Sequence, residues 1–392
     1  LDNYVPVYDA TIVKKLREAG ADFVCKASMD ELGMGGTNKN AYTGAVHNPY
    51  DLDRIPGGSS GGCAALVAAG CVPLAIGTDT GDSVRKPAAY CGVVGVKPTY
   101  GRISRYGIIP YASSLDHVGY FTTNVKDAAL ALEVLAGRDD HDMTSSYEEV
   151  KEYSKLLNGD LTNKTIGVFK TVMDEVKNEE LKAQFNTLVS KLEEKGAKIV
   201  EVEMPKEYME LIAPVYKTIA NAEATANHSN LDGIRFGMRE EGQDLEEVMT
   251  NTRTKGFSSY VRARFVIGSY SLFEENQDRL FRKAQKIRRL IVQAYAKMFE
   301  ECDAVLSVAA PTIAPLINES TNVRFGVSSF AEEHMQLQNF SGYPSITLPL
   351  GKVDSMPVAV NLTCKPFEEQ KMFDVSSAIE ECTGLKGQCL EG

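Results

Sequence analysis

A layered α/β fold is predicted for this chain by three observations. Short β-branched runs alternate with amphipathic helical patterns along most of its length. Of its 392 residues, 43% are hydrophobic and 24% charged, the composition of a globular chain with a sizeable core. No internal repeat and no low-complexity linker interrupts the pattern. In order, Asp9–Gly20 has an acidic cap, apolar residues at helical spacing and a closing glycine, so it predicts a helix; Asp22–Cys25 then reads as a short buried strand. The apolar run Val72–Ile76 predicts another strand. Beyond about residue 140, helices over Glu179–Lys195 and Leu280–Glu301 alternate with strands over Thr165–Phe169, Lys198–Val202 and Ala304–Val308. Ser345–Leu350 and Pro357–Thr363 predict two more strands, and Glu368–Cys382 a covering helix.

Charge and cysteine content exclude several classes. Fifty-three acidic against 42 basic residues give a net charge of −11, which supplies no long-range attraction for a phosphate backbone, so a free-standing DNA or RNA binder is not expected. The eight cysteines are irregularly spaced and form no C-x-x-C pair, so neither a zinc ribbon nor a thioredoxin-type motif is present, and no metal is expected. Their density is too low for a disulfide scaffold, which favours a reducing, cytoplasmic compartment. The longest small-apolar stretch, Cys63–Gly77, is broken by Gly70 and Pro73 and is too short to span a membrane. The chain opens on Leu1 and runs almost at once into a helix, so the natural N-terminus is expected to lie further upstream.

Function is expected between Gly57 and Gly107, where 11 of the chain's 32 glycines fall and backbone must approach backbone or ligand closely. Pro56–Gly70 runs from a glycine-serine loop straight into a helix of small residues, an arrangement that presents hydroxyls and backbone N–H groups to an anion or a developing oxyanion. A flexible linker is the plain alternative, but linkers are not followed at once by an apolar helix. The Gly-Lys-Ser/Thr ending of a phosphate-binding loop is absent. A second polar glycine turn, Gly77–Pro87, follows the Val72–Ile76 run. Two serine loops flanking one helix-strand unit can converge, and acyl transfer by a hydroxyl needs a base and backbone donors for the oxyanion. His47, His117, His141, His228 and His334 have no evident partner in sequence, so a triad here is not expected to use histidine.

The GGSSGG loop, the TDTGDSVRKPA turn with its serine 24 residues after Ser59, and CGVVGVKPTYGRISRYG together resemble the amidase signature family. SMDELGMGG at 28–36, IPGGSSGG, SSLDHVG at 113–119 and YKTIANAEATAN at 216–227 are similar to the branch that serves tRNA-dependent amidotransferases as glutaminase subunits, and the likeness covers nearly the whole chain. The resemblance implies an α/β/α fold on one mixed central β-sheet: residues 1–392 form a single domain, N-terminally incomplete, with 145–330 an elaboration within it. It implies a Ser–cis-Ser–Lys triad in which Ser83 attacks a carboxamide, Ser59 relays the proton and Ser60 is its hydrogen-bonding neighbour. Backbone N–H groups of Thr80, Gly81, Asp82 and Ser83 would form the oxyanion hole. Tyr216 and Arg264 would hold the amino-acid end of glutamine, and Glu332 or Glu333 its amino group; for Arg264 the plain alternative is an exposed charge on a helix over Ser258–Ser271. The glutaminase itself would need no cofactor. Ammonia would pass to partner subunits, B and C, where ATP and Mg activate a misacylated tRNA, Glu-tRNA(Gln) or Asp-tRNA(Asn); no contact with DNA or membrane is implied.

Three departures from the family pattern stand in the sequence. The Gly-Ile-Lys-Asp segment bearing the triad lysine is not found, and a lysine at the position of Lys26 has no triad role in the family. Asp82 replaces a glycine in the nucleophile turn, which would put a carboxylate beside the oxyanion. Glu332 or Glu333 stands where the family has Asp. Hydrolysis of a different amide, and a non-catalytic chain that keeps the fold as an interaction module, are therefore the competing readings. Gly57-x-Ser59-x-Gly61 could also be a nucleophile elbow, but the residues before it, NPYDLDRIP, make a poor strand.

Overall fold

The computed structural model describes residues 4–320 and 329–390. Its described residues build one mixed sheet from β1 (Leu74–Asp79), β2 (Val94–Lys97), β3 (His117–Thr122), β4 (Thr165–Phe169), β5 (Lys198–Val202), β6 (Ala304–Val308), β7 (Ser345–Val353) and β8 (Met356–Cys364). Their spatial order is β1-β3-β2-β7-β8-β6-β4-β5. The β4/β5 and β4/β6 pairs are parallel, joined through helical crossovers, and the other pairs are antiparallel. β7 and β8 form a hairpin whose two turn residues, Asp354 and Ser355, both have positive φ (49° and 65°), the geometry that matches the twist of the flanking strands.

Alternation along the strands sends side chains to two helical layers, because successive residues point to opposite faces. Ala304, Leu306 and Val308 of β6 join a core with the helices Thr11–Glu18, Val125–Leu135, Glu179–Glu194 and Glu369–Thr383. Val305, between them, packs with the helices Lys206–Asn227, Ser259–Leu272 and Phe281–Met298 on the other face. The small-residue helix Gly61–Ala68 and the helix Arg85–Cys91 close the β1 end over Phe121. Strands β4, β5 and β6, all between residues 145 and 330, complete the other end of the same sheet.

The expected strands at Thr165–Phe169, Lys198–Val202 and Ala304–Val308 are β4, β5 and β6. The Asp22–Cys25 strand is not formed: the segment is irregular, with Phe23 and Val24 exposed. It pairs with no strand among the described residues, and a lone extended run gains neither ladder hydrogen bonds nor burial. The helix predicted over Asp9–Gly20 is Thr11–Glu18, and Gly20 takes a left-handed φ of 85° after its end.

Candidate active site

The two serine loops touch. Gly58–Ser59 is a cis peptide, and just after it Ser60 N donates to Ser83 O at 3.1 Å. Ser60 Oγ donates to Thr78 O (3.1 Å) and accepts from Thr78 N (3.2 Å), tying the first loop to β1 as that strand runs into the second. Ser59 and Ser83 are both buried. Ser59 Oγ makes no hydrogen bond among the described residues.

Each loop is held by a carboxylate. Around the first, Asp30 N donates to Ser59 O (3.1 Å), while Asp30 Oδ2 accepts from Asn38 N (2.8 Å) and Oδ1 from Asn40 N (3.0 Å). Asn38, at a φ of 58°, accepts from Gly61 N at 2.9 Å, so a strap over residues 30–40 grips the loop on both sides of the serine pair. The fit leaves no room for a side chain at 58, where a Cβ would fall 2.3 Å from Asp30 Oδ2. Burial pushes the Asp30 carboxyl up to about 6, although backbone N–H groups and the Arg264 guanidinium favour its charge.

Around the second loop, Asp79 at the end of β1 accepts from Val84 N (3.0 Å) and forms a two-point pair with Arg85 (Nε 3.0 Å, NH2 2.8 Å). Arg85 also donates to Gly81 O (2.9 Å), Met335 O and Gln338 Oε1 (both 2.8 Å) and Asn339 Oδ1 (2.7 Å). Burial opposes ionisation of Asp79, but the guanidinium outweighs it and holds the carboxyl well below the ordinary range. Thr80 Oγ1 donates to Asp116 (2.7 Å), which also accepts from Tyr111 N and Ala112 N. Asp82 sits among these groups, and burial raises it to about 6.

Tyr216 and Arg264 lie on one polar chain leading from this turn. A Cβ on Gly81 would stand 3.0 Å from the Tyr216 hydroxyl, so the ring lies directly on the Thr80–Ser83 turn. Tyr216 neighbours Tyr111, whose Oη accepts from Arg264 NH1 at 2.7 Å. Arg264 NH1 also reaches Asn221 Oδ1 (3.3 Å), and NH2 donates to the Tyr260 hydroxyl. Its Nε is buried and has no partner among the described residues. Arg264 is thus a half-buried, tyrosine-held cation with one donor direction unfilled, not the exposed helix charge of the alternative reading. Glu332, followed by Glu333 on the short helix Phe330–Glu333, is tied to Asp82 of the turn through Lys86. Lys26 is exposed. His334 bonds Ser307 and Ala331 O, and His117 bonds Leu115 O.

The profile of the Amidase family matches residues 1–373. The chain belongs to the amidase signature family. It is 42% identical over 386 residues to the glutamyl-tRNA(Gln) amidotransferase A subunit of Fusobacterium nucleatum subsp. nucleatum, covering 98% of this chain and 78% of that relative. The protein of the same description from Coxiella burnetii is also 42% identical, over 98% of this chain and 79% of its own length. Among solved structures, the glutamyl-tRNA(Gln) amidotransferase A subunit of Thermotoga maritima superposes with a TM-score of 0.80 at 35% identity, over 97% of this chain and 78% of that one. A peptide amidase from Stenotrophomonas maltophilia superposes at 0.79 with 27% identity, over 96% and 77%.

Membership of the amidase signature family makes the chain an amidohydrolase by descent, and the layered fold on a mixed sheet is the one its relatives share. Sequence reasoning missed the supporting groups: Tyr111, Tyr260 and Asn221 around Arg264, and Lys86 between Asp82 and Glu332. Asp79 and Arg85 lie inside the TDTGDSVRKPA motif, and Asp30 inside SMDELGMGG, but nothing in either motif marks which residue each one grips.

Among the described residues, no helix is long and apolar enough to cross a membrane.

Proposed function

We propose that this chain is the glutamine-hydrolysing component of a tRNA-dependent amidotransferase, with Ser83 attacking the side-chain amide of glutamine. The observation that carries the reading is Arg264: a cation held by two tyrosines, with a buried unpaired N–H, one of those tyrosines neighbouring Tyr216, which rests on the Thr80–Ser83 turn. An amino-acid amide needs an anion binder at the end opposite its scissile bond, and a guanidinium suits a carboxylate. The names of the relatives support the same reading.

In this reading Ser83 Oγ adds to the amide carbon while its proton passes to Ser59 Oγ. Backbone N–H groups of the Thr80–Ser83 turn receive the oxyanion. Ammonia leaves, and water cleaves the resulting acyl ester to give glutamate. Ser60 acts through position, because its hydroxyl is fully engaged by Thr78. Tyr216 and Arg264 bind the carboxylate end, and Glu332 or Glu333 the ammonium. The ammonia is delivered to companion B and C subunits in the cytoplasm, where ATP and Mg serve the activation of misacylated tRNA; the glutaminase itself holds no cofactor. A non-catalytic role is the second reading, favoured by the unpartnered Ser59 hydroxyl and the Asp82 carboxylate.

Calorimetric titration of glutamine and of propionamide into the chain and its Arg264→Ala variant tests the proposal. Loss of a charge-assisted contact costs about 1.5–3 kcal/mol, so glutamine should bind roughly 10- to 100-fold more weakly to the variant while propionamide is unaffected. Equal effects on both ligands would refute a carboxylate contact.

A further inference from the structure

The carboxylate at position 82 is not left alone in the nucleophile turn. Lys86, one helical turn further on, places its Nζ 3.7 Å from Asp82 Oδ2 and 3.7 Å from Glu332 Oε2, and donates to the backbone O of Glu332 at 2.9 Å. Its side chain is only 7% exposed. Burial opposes the ammonium charge, but Glu332, Tyr90, Asp82 and Glu333 outweigh burial and hold the group protonated above its ordinary range. Glu333, the next residue along, is bonded by Gln336 Nε2. One buried ammonium therefore joins two segments that lie 246 residues apart in sequence.

Removing a charge from such a cluster is asymmetric. A neutral side chain at 86 would leave the Asp82 and Glu332 carboxylates uncompensated in a poorly solvated wall, whereas removing Asp82 as well would relieve part of that repulsion. Tyr216 also faces Asp82, and Arg85 and Asp79 lie behind it, already paired with each other. Arg85 cannot replace Lys86 against Glu332, because it is committed to Asp79, Gly81, Gln338 and Asn339.

We infer that Lys86 is a positioning residue of the amide-binding pocket: by pairing with Asp82 and Glu332 together, it neutralises the carboxylate beside the nucleophile and fixes the Phe330–Glu333 helix where a substrate ammonium is received. The pocket, the nucleophile and the ammonium rest on the glutamine reading above. The tie between the two segments stands on the contacts alone.

The test compares Lys86→Gln, Lys86→Arg, Asp82→Gly and the Lys86→Gln/Asp82→Gly double variant of the full chain, by calorimetric titration of glutamine and propionamide and by urea unfolding. Lys86→Gln should weaken glutamine at least tenfold and leave propionamide within about twofold. Lys86→Arg should restore glutamine to within about threefold, and the double variant should recover part of the loss. Equal weakening of both ligands, or unchanged glutamine affinity in Lys86→Gln, would overturn the inference. If the unsubstituted chain binds no glutamine, the glutamine reading fails and the unfolding midpoints decide the tie. A smaller midpoint drop for Lys86→Gln in the Asp82→Gly background upholds it, and equal drops in both backgrounds overturn it.

Discussion

Asp82 brings a carboxylate into the turn whose backbone donors would face an oxyanion, and its ionisation carries a measurable cost. Burial raises its folded-state pKa to about 6, above the ordinary 3.8, despite Lys86. Between roughly pH 4 and 6 the folded chain therefore holds a proton that the unfolded chain has lost, so this group's contribution to stability declines as pH rises through that window. Asp30 and Asp116, raised to about 6 by the same cause, add to the decline. Asp82→Asn should remove its share: relative to the parent, the variant's unfolding temperature should be higher at pH 7 than at pH 4.5. A pH-independent difference would show that Asp82 titrates as an ordinary exposed carboxylate.

At the scale of elements, the Asp79–Arg85 pair joins the end of β1 to the start of the Arg85–Cys91 helix and, through Asn339 and Gln338, to the helix Gln336–Ser341. Both charges are fully buried, so Asp79→Asn leaves a guanidinium without its counter-ion and should destabilise the fold by about 3–5 kcal/mol, measured by urea unfolding. The strap is the weaker device: Asn38→Ala removes the acceptor for Gly61 N and should cost about 1–3 kcal/mol. A change under about 0.5 kcal/mol, the low end of a net hydrogen-bond contribution, would mean that water replaces the acceptor without loss. How much of this was legible in sequence depended on whether the deciding partners were local. β4, β5 and β6 could be read to the residue because each is a β-branched run between helices. β2 and β3 were not read as strands: Val94–Lys97 is four residues broken by Gly95, and it becomes a strand because β3 and β7 flank it. The meeting of the two serine loops was legible from their motifs. The neighbours of Arg264 were not, since Tyr111, Asn221 and Tyr260 meet only after three separate segments pack together. The Asp22–Cys25 strand failed for the opposite reason, a suitable local pattern with no paired edge beside it among the described residues.

For the whole molecule, the sheet end carrying β1 supplies the Thr80–Ser83 turn, the helix Lys206–Asn227 brings Tyr216 onto it, and the helix Ser259–Leu272 sets Arg264 on Tyr111. On the proposed reading this arrangement binds glutamine without turning it over. A serine must lose its proton as it attacks, and Ser59 can only relay it; among the described residues nothing hydrogen-bonds Ser59 Oγ to take it onward. Loss of a general base costs about 10² to 10⁴ in rate, so the purified 392-residue chain should release ammonia from glutamine at little or no rate. Turnover that Ser83→Ala abolishes would show that another group, with Lys26 the first to test, moves in as base. The central claim is that glutamine lies with its amide at Ser83 and its carboxylate at Arg264, and a crystal structure of the Ser83→Ala chain with glutamine bound tests it most directly. The account predicts the side-chain amide over the Thr80–Ser83 turn, the α-carboxylate on Arg264 Nε and the ammonium facing the Phe330–Glu333 helix. Glutamine bound in reverse, or bound away from both loops, would contradict it.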